Sequence, residues 1–332
     1  MKHSVIAIVL ASSSVAGAGF EPYLGWATVG DPGNRGLTAV EAPNFYPPFS
    51  TPPVPAGSVN EAFRISRTEI TAEQYLPFLN VYRHHHWGNL GSGEITGSVI
   101  GPSGFDDQGV REYDLSPLNA KLAINPIFVV AATYANWLHN DMGDELEDFT
   151  TGAYDLQPFF DEPYTGQISF LPEPDAKYWI PTFDQTIKAL YWDPEKDNGE
   201  GGYWRYPHGS DEPPVYGMLG EEGVESSGGS GRASNVDAFP DVQSPWGLLG
   251  GSGTWGEFSS GEIFGLQLVM QHGSMDNTSS AEFRDRVDQP LFRFGATGAN
   301  GSFRIATRIP APGSVTALTA GVGFAVRRRR TK

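Results

Sequence analysis

No cysteine occurs anywhere in this chain of 332 residues, and that absence narrows what it can become. Disulfides, thiolate metal sites, thiol nucleophiles and redox pairs are removed together. The fold must be held by burial of apolar surface and by hydrogen bonding. The chain is 39% hydrophobic. Between its two ends lie about 285 residues, enough for one large domain.

Glycine (41) and proline (26) are spread along the sequence between 8 Trp, 13 Tyr and 20 Phe. Their combined share stays below that of low-complexity chains. The mixture predicts an α+β fold with little regular structure and many ordered loops. No internal repeat is present.

The two ends read as addresses. Lys2 and His3 precede the apolar run Val5 to Leu10, and small residues follow to Ala16-Gly17-Ala18. This is a signal-peptide pattern with cleavage after Ala18, the alternative being a buried N-terminal helix. At the other end, Ile309-Pro310-Ala311-Pro312-Gly313 leads into a small and apolar stretch, Ser314 to Val326, and then Arg327-Arg328-Arg329-Arg330-Thr331-Lys332. An apolar segment capped by basic residues stops in a membrane with its charge in the cytoplasm. About thirteen residues are short for a spanning helix, so transient anchoring is the expectation. The order of parts resembles the PEP-CTERM sorting signals read by exosortases, with Pro310-Ala311-Pro312 in place of Pro-Glu-Pro. A plain basic tail is the alternative. Residues 1–18 and 309–332 are therefore set aside from the domain proper, residues 23–306.

Removing both ends takes the formal charge from −17 to about −23. So acidic a chain is a poor partner for nucleic acid or anionic lipid. It suits an exported protein.

Two helices are predicted from their local signals. Over Thr71–Tyr82, Thr71 stands as N-cap with Gln74 at capping-box spacing, and Tyr75, Phe78, Leu79 and Tyr82 share a face. Over Pro126–Leu138, proline suits the first turn and the rest is mainly apolar. A shorter helix is expected over Phe183–Tyr191, and strands over Ala62–Ile65, Gly265–Gln271 and Phe303–Thr307. Gly199-Glu200-Gly201-Gly202 and Glu221–Ser234 read as polar loops that bury little.

Six segments in order resemble the formylglycine-generating (sulfatase-modifying factor) family. They are Leu24–Asn34, Phe63–Thr71 with the helix after it, Asn125–Asn140, Tyr178–Tyr191, Ser244–Phe258 and Ser302–Ala306. The last three are similar to the family's "RLPTEDEW", "NPWGLYDMxGNVWEW" and "GFRVA" signatures. The resemblance implies the family's compact fold, related to C-type lectin-like folds. It also implies a copper oxygenase chemistry held by two cysteines, and with no cysteine here neither copper nor formylglycine generation is expected.

Other chemistry is sparse. A second branch of the family binds iron through histidines. His84-His85-His86 is the one cluster here, and neighbours in sequence point in different directions, so iron is not expected. His139, His208 and His272 are scattered, and His139 reads as a helix-end cation. The resemblance implies a calcium turn, with Glu257 at the family's Glu, Thr254 at its Asn, and Asp237 and Asp241 upstream as further oxygen donors. The alternative is that Glu257 caps a turn or pairs with an arginine. Asn140-Asp141-Met142-Gly143-Asp144-Glu145 reads as a solvated helix–loop junction. No phosphate loop, nucleophile elbow or zinc motif is found. Trp87, Trp192 and Trp204 are candidates to stack on sugars. The expectation is an exported, non-catalytic envelope or matrix protein acting as a binding scaffold, with exosortase-type processing machinery and an extracellular polysaccharide or protein as partners. A histidine-dependent oxidase and a carbohydrate-binding module are the alternatives.

Overall fold

The Thr71 side chain accepts from the Gln74 N–H while the Gln74 side chain accepts from the Thr71 N–H, and the helix that follows runs where its cap dictates. The computed structural model describes residues 23–44, 56–85, 90, 92–97, 99–160, 168–227, 234–253, 255–263, 266–272, 282–289, 291–293 and 300–310. In chain order these form β1 (Trp26–Val29), β2 (Phe63–Ser66), α1 (Ala72–Tyr82), α2 (Ser92–Thr96), β3 (Gly101–Phe105), β4 (Arg111–Asp114), α3 (Phe128–His139), α4 (Leu146–Thr150) and α5 (Gln157–Phe160). There follow β5 (Tyr178–Trp179), α6 (Phe183–Tyr191), β6 (Trp192–Asp193), α7 (Lys196–Gly199), β7 (Gly202–Tyr203), β8 (Glu257–Ile263), β9 (Leu266–His272), β10 (Leu291–Arg293), β11 (Ser302–Phe303) and β12 (Ala306–Arg308). The architecture is mixed helix and sheet, with small sheets and long irregular connections. Pro22–Ile309 forms a compact unit.

One antiparallel sheet has the order β1-β2-β12-β5, with Ile65 opposite both Ala27 and Ala306, and Ala306 opposite Trp179. A second has the order β10-β9-β8-β11, where β11 runs parallel to β8. The strand expected over Phe303–Thr307 is thus two strands. Ser302 and Phe303 complete the second sheet, Ala306 to Arg308 the first, and Arg304 and Ile305 make the corner between them. Helix α3 begins at Phe128 behind Ile127, so Pro126 precedes the helix instead of opening it.

The core is aromatic. Every residue of α3 from Phe128 to Leu138 is buried. Tyr75 stacks on Tyr134 at 5.5 Å, Phe78 meets Tyr82 at 5.1 Å and Trp137 at 5.7 Å, and Tyr82 meets Phe149 at 5.1 Å. Such ring pairs add to the transfer energy of burial. Asn136, buried in the same helix, ties down the next segment: its amide donates to the carbonyls of Phe149 and Tyr154 and its oxygen accepts from the Tyr154 N–H. Asn140 repeats the device at the helix end, donating to Asp148 and Thr151.

The Gly199–Gly202 turn is not the shallow loop that its polarity suggested. Gly201 and Gly202 are buried. Gly201 has φ +77°, and a Cβ there would come within 2.5 Å of the Trp192 ring. Glycine lets the backbone close on an indole where any side chain would collide. Among the described residues no helix is long and apolar enough to cross a membrane. The expected leader (1–18), the apolar and basic tail (314–332), His86, Trp87 and Thr254 lie outside the described residues.

Candidate functional site

Glu257 opens β8 and is buried. Its Oε1 accepts from Arg304 Nε at 2.9 Å, and Arg304 also donates to the carbonyls of Arg67 and Leu249 at 2.7 Å each. Burial pushes the Glu257 carboxyl up, while the guanidinium beside it pulls it down. The carboxylate is thus committed to an arginine, the alternative weighed from sequence. Asp237 bonds Lys121 Nζ at 2.6 Å near the surface, and Asp241 is exposed. Among the described residues no three His, Asp or Glu side chains are gathered as a metal site.

The histidines are dispersed in their contacts. His84 lies 4.0 Å from Asp106, whereas His85 Nε2 bonds the Asp144 carbonyl and its ring packs on Phe149. His139 is not the helix-end cation expected. Burial lowers its imidazole below the ordinary value, with Lys177 adding to the effect, and its Nδ1 accepts the Lys177 N–H. Burial likewise lowers His208. Asp141 forms an exposed pair with Lys177 at the junction after α3.

Two tryptophans proposed for sugar stacking are otherwise employed. Trp192 is buried, donating to Asp31 at 2.7 Å with Arg35 over its ring. Trp204 is half-buried, donating to Asp193, and Lys196 Nζ covers its ring at 4.0 Å.

Lys196, which covers the Trp204 ring, also lines a cleft that no sequence motif announced. Its volume is about 550 Å3, and it is lined by Val40, Glu41, Pro43, Asn44, Lys196, Asp197, Tyr203, Arg205, Asp211, Arg286 and Asp288. Three distant stretches meet there. The loop after β1 is held by Glu41, which takes a two-pronged bond from Arg35 at 2.7 Å each and a bond from the Tyr203 N–H. Burial alone would raise the Glu41 carboxyl; Arg35, Tyr203 and Thr38 outweigh it and hold it at about 2. The second stretch is the β6–β7 hairpin with α7 between its strands. Asp197 and Asn198 there take left-handed conformations, which short polar side chains tolerate. Lys196 donates to the Tyr203 carbonyl at 2.7 Å and pairs with Asp211, which also accepts the Arg205 N–H. The third stretch carries Arg286 and the buried Asp288, 2.8 Å apart, and Asn44 donates to the same carboxylate at 3.1 Å. A cleft of this size is typical of small-molecule sites, but its lining is charged where most such sites are apolar. A second cavity, beside His208 and Ser252, has about 20 Å3, the room of one water molecule.

No protein-family model matches the sequence, and no curated protein matches it. Among solved structures, CarF superposes over 87% of this chain and 100% of its own, with a TM-score of 0.48 and 14% identity. PvdO from Pseudomonas aeruginosa superposes over 86% of this chain and 94% of its own, with a TM-score of 0.45 and 13% identity.

Proposed function

We propose that this chain is an exported, non-catalytic binding protein of the cell envelope or extracellular matrix. We read its fold as of the formylglycine-generating type, and its ligand as a segment of extracellular polysaccharide. The observation that carries this reading is the cleft between Glu41, Lys196, Arg205 and Asp288. It is large enough for two or three sugar units. Its lining would charge a heavy desolvation cost to an apolar ligand and offers hydrogen bonds to a polar one. The walls are prearranged by ion pairs that do not need the ligand, which limits the ordering cost of binding. The missing cysteines take away the copper ligands of the family it resembles, and the leader-like start and tripartite tail point to export with exosortase-type processing.

The test uses the mature chain on immobilised soluble polysaccharides. Retention is expected, and Val40→Trp should abolish it. Val40 lines the cleft and is 90% exposed, so an indole there blocks the mouth without entering the core. Failure of any polysaccharide to retain the protein, or a Val40→Trp variant retained like the parent, would overturn the assignment.

A further inference from the structure

Within the cleft, the charges divide into those already used and those left over. Arg35 pairs with Glu41, Lys196 with Asp211, and Arg286 with one oxygen of Asp288. Three carboxylates are thereby engaged by cations of the protein itself. Arg205 differs. It is exposed, and among the described residues its guanidinium makes no ion pair or hydrogen bond, only a contact over the Tyr206 ring at 6.0 Å. Asp197 is also exposed, with no ion pair or hydrogen bond to its carboxylate among the described residues. Arg286 spends one terminal nitrogen on Asp288.

We infer that the cleft selects acidic sugars, with a uronate-type carboxylate of the ligand received by Arg205 and a neighbouring sugar hydroxyl donated to Asp197. The inference rests on the polysaccharide reading above. A guanidinium offers two parallel donors that match a carboxylate, and this match outdoes any single neutral hydrogen bond. Asp197, a second unpaired charge lining the same cleft, would repel a second anion but accepts a hydroxyl. An acidic sugar ring carries both groups on one small rigid frame; a neutral sugar leaves Arg205 unmatched, and an acidic peptide brings no hydroxyl for Asp197. The mature chain's net charge of about −23 does not forbid an anionic ligand. At physiological salt the screening length is about 8 Å, so contacts inside the cleft outweigh charges across the molecule.

The experiment is calorimetric titration of the mature protein with three probes: an oligogalacturonate, a neutral gluco-oligosaccharide of equal length, and a short polyglutamate. The oligogalacturonate should bind more tightly than either of the others. Arg205→Gln should weaken it roughly ten- to hundredfold, and Arg205→Lys should fall between, keeping the charge and losing the fork. Arg205 is exposed, so its variants should melt with the parent, and a melting scan checks that loss of binding is not loss of fold. Equal binding of the neutral and acidic sugars, unchanged by Arg205→Gln, would overturn the acidic preference and leave the polysaccharide cleft standing. Binding of polyglutamate as tight as the oligogalacturonate would overturn the sugar itself. If no saccharide binds at all, both readings fall.

Discussion

Arg304 and Glu257 lie 2.9 Å apart at the corner where the chain leaves one sheet for the other, and both are buried. The guanidinium also donates to three backbone carbonyls, of Ser66, Arg67 and Leu249. One side chain thus ties β2, the Ser244–Leu249 turn and β8 together. Its charge has no water to fall back on. Removing one partner of such a pair leaves an uncompensated buried charge, at a cost of about 3–5 kcal/mol.

Glu257→Gln should therefore destabilise the domain by about that amount, read from urea unfolding. The loss should be the same in Ca2+ and in Mg2+ at equal ionic strength. A protection by Ca2+ that the parent shows and the variant lacks would return Glu257 to the calcium turn of the family it resembles.

Glu41 makes the cleft wall sensitive to acid. Its carboxyl is held at about 2 against an ordinary 4.5, so the folded state favours the ionised form. For a depressed acid the stabilisation is fully present above 4.5 and is lost as the pH falls from there through 2. The stability difference between parent and Glu41→Gln should be about 1–2 kcal/mol at pH 6, after allowance for solvent screening, and should be mostly lost by pH 2. A difference independent of pH would show that Glu41 acts through packing.

Asn136 serves two carbonyl acceptors and one N–H donor in the core. Asn136→Leu should cost at least about 2 kcal/mol, because buried groups lose their partners. Asn136→Asp should cost more at neutral pH, where a buried carboxylate would face two carbonyls, and the excess should shrink in acid. Denaturation at pH 4 and pH 7 separates the two variants. Equal losses at both pH values would mean that the aspartate escapes to solvent.

Export predicts two processing events. Intact-mass measurement of the extracellular or envelope-bound protein should show loss of residues 1–18 and of the basic tail. A full-length chain recovered in the cytoplasm would remove the basis of the localisation.

The helices were legible because their signals are local. Thr71 with Gln74 carries a complete cap within four residues, and α6 spans Phe183–Tyr191 as its pattern predicts; its own cap, Thr182 with Gln185, is a finding of the structure. A cap or an apolar stripe is made by neighbours in sequence, whose contact costs little chain entropy. The strand over Phe303–Thr307 was half legible. All five residues are buried, but nothing in them says that Phe303 serves one sheet, Ala306 and Thr307 the other, and Arg304 and Ile305 the corner between.

The cleft was not legible at all. Asp288 takes its amide donor from Asn44, 244 positions away, and Glu41 takes its N–H from Tyr203, 162 positions away. Each of these residues, seen alone, is one more charge on an acidic chain. Trp192 and Trp204 looked like surface aromatics until Asp31, Arg35 and Lys196 were brought against them. The sequence alone determined that there would be no thiol chemistry, that helices would form after Thr71, around residues 129–138 and over Phe183–Tyr191, and that long connections would join small elements, because these depend on composition and near neighbours. Only the tertiary structure decided which carboxylates are engaged in ion pairs and which charges among the described residues, Arg205 and Asp197, are left lining the cleft, because pairing between distant residues is settled by how the whole chain packs.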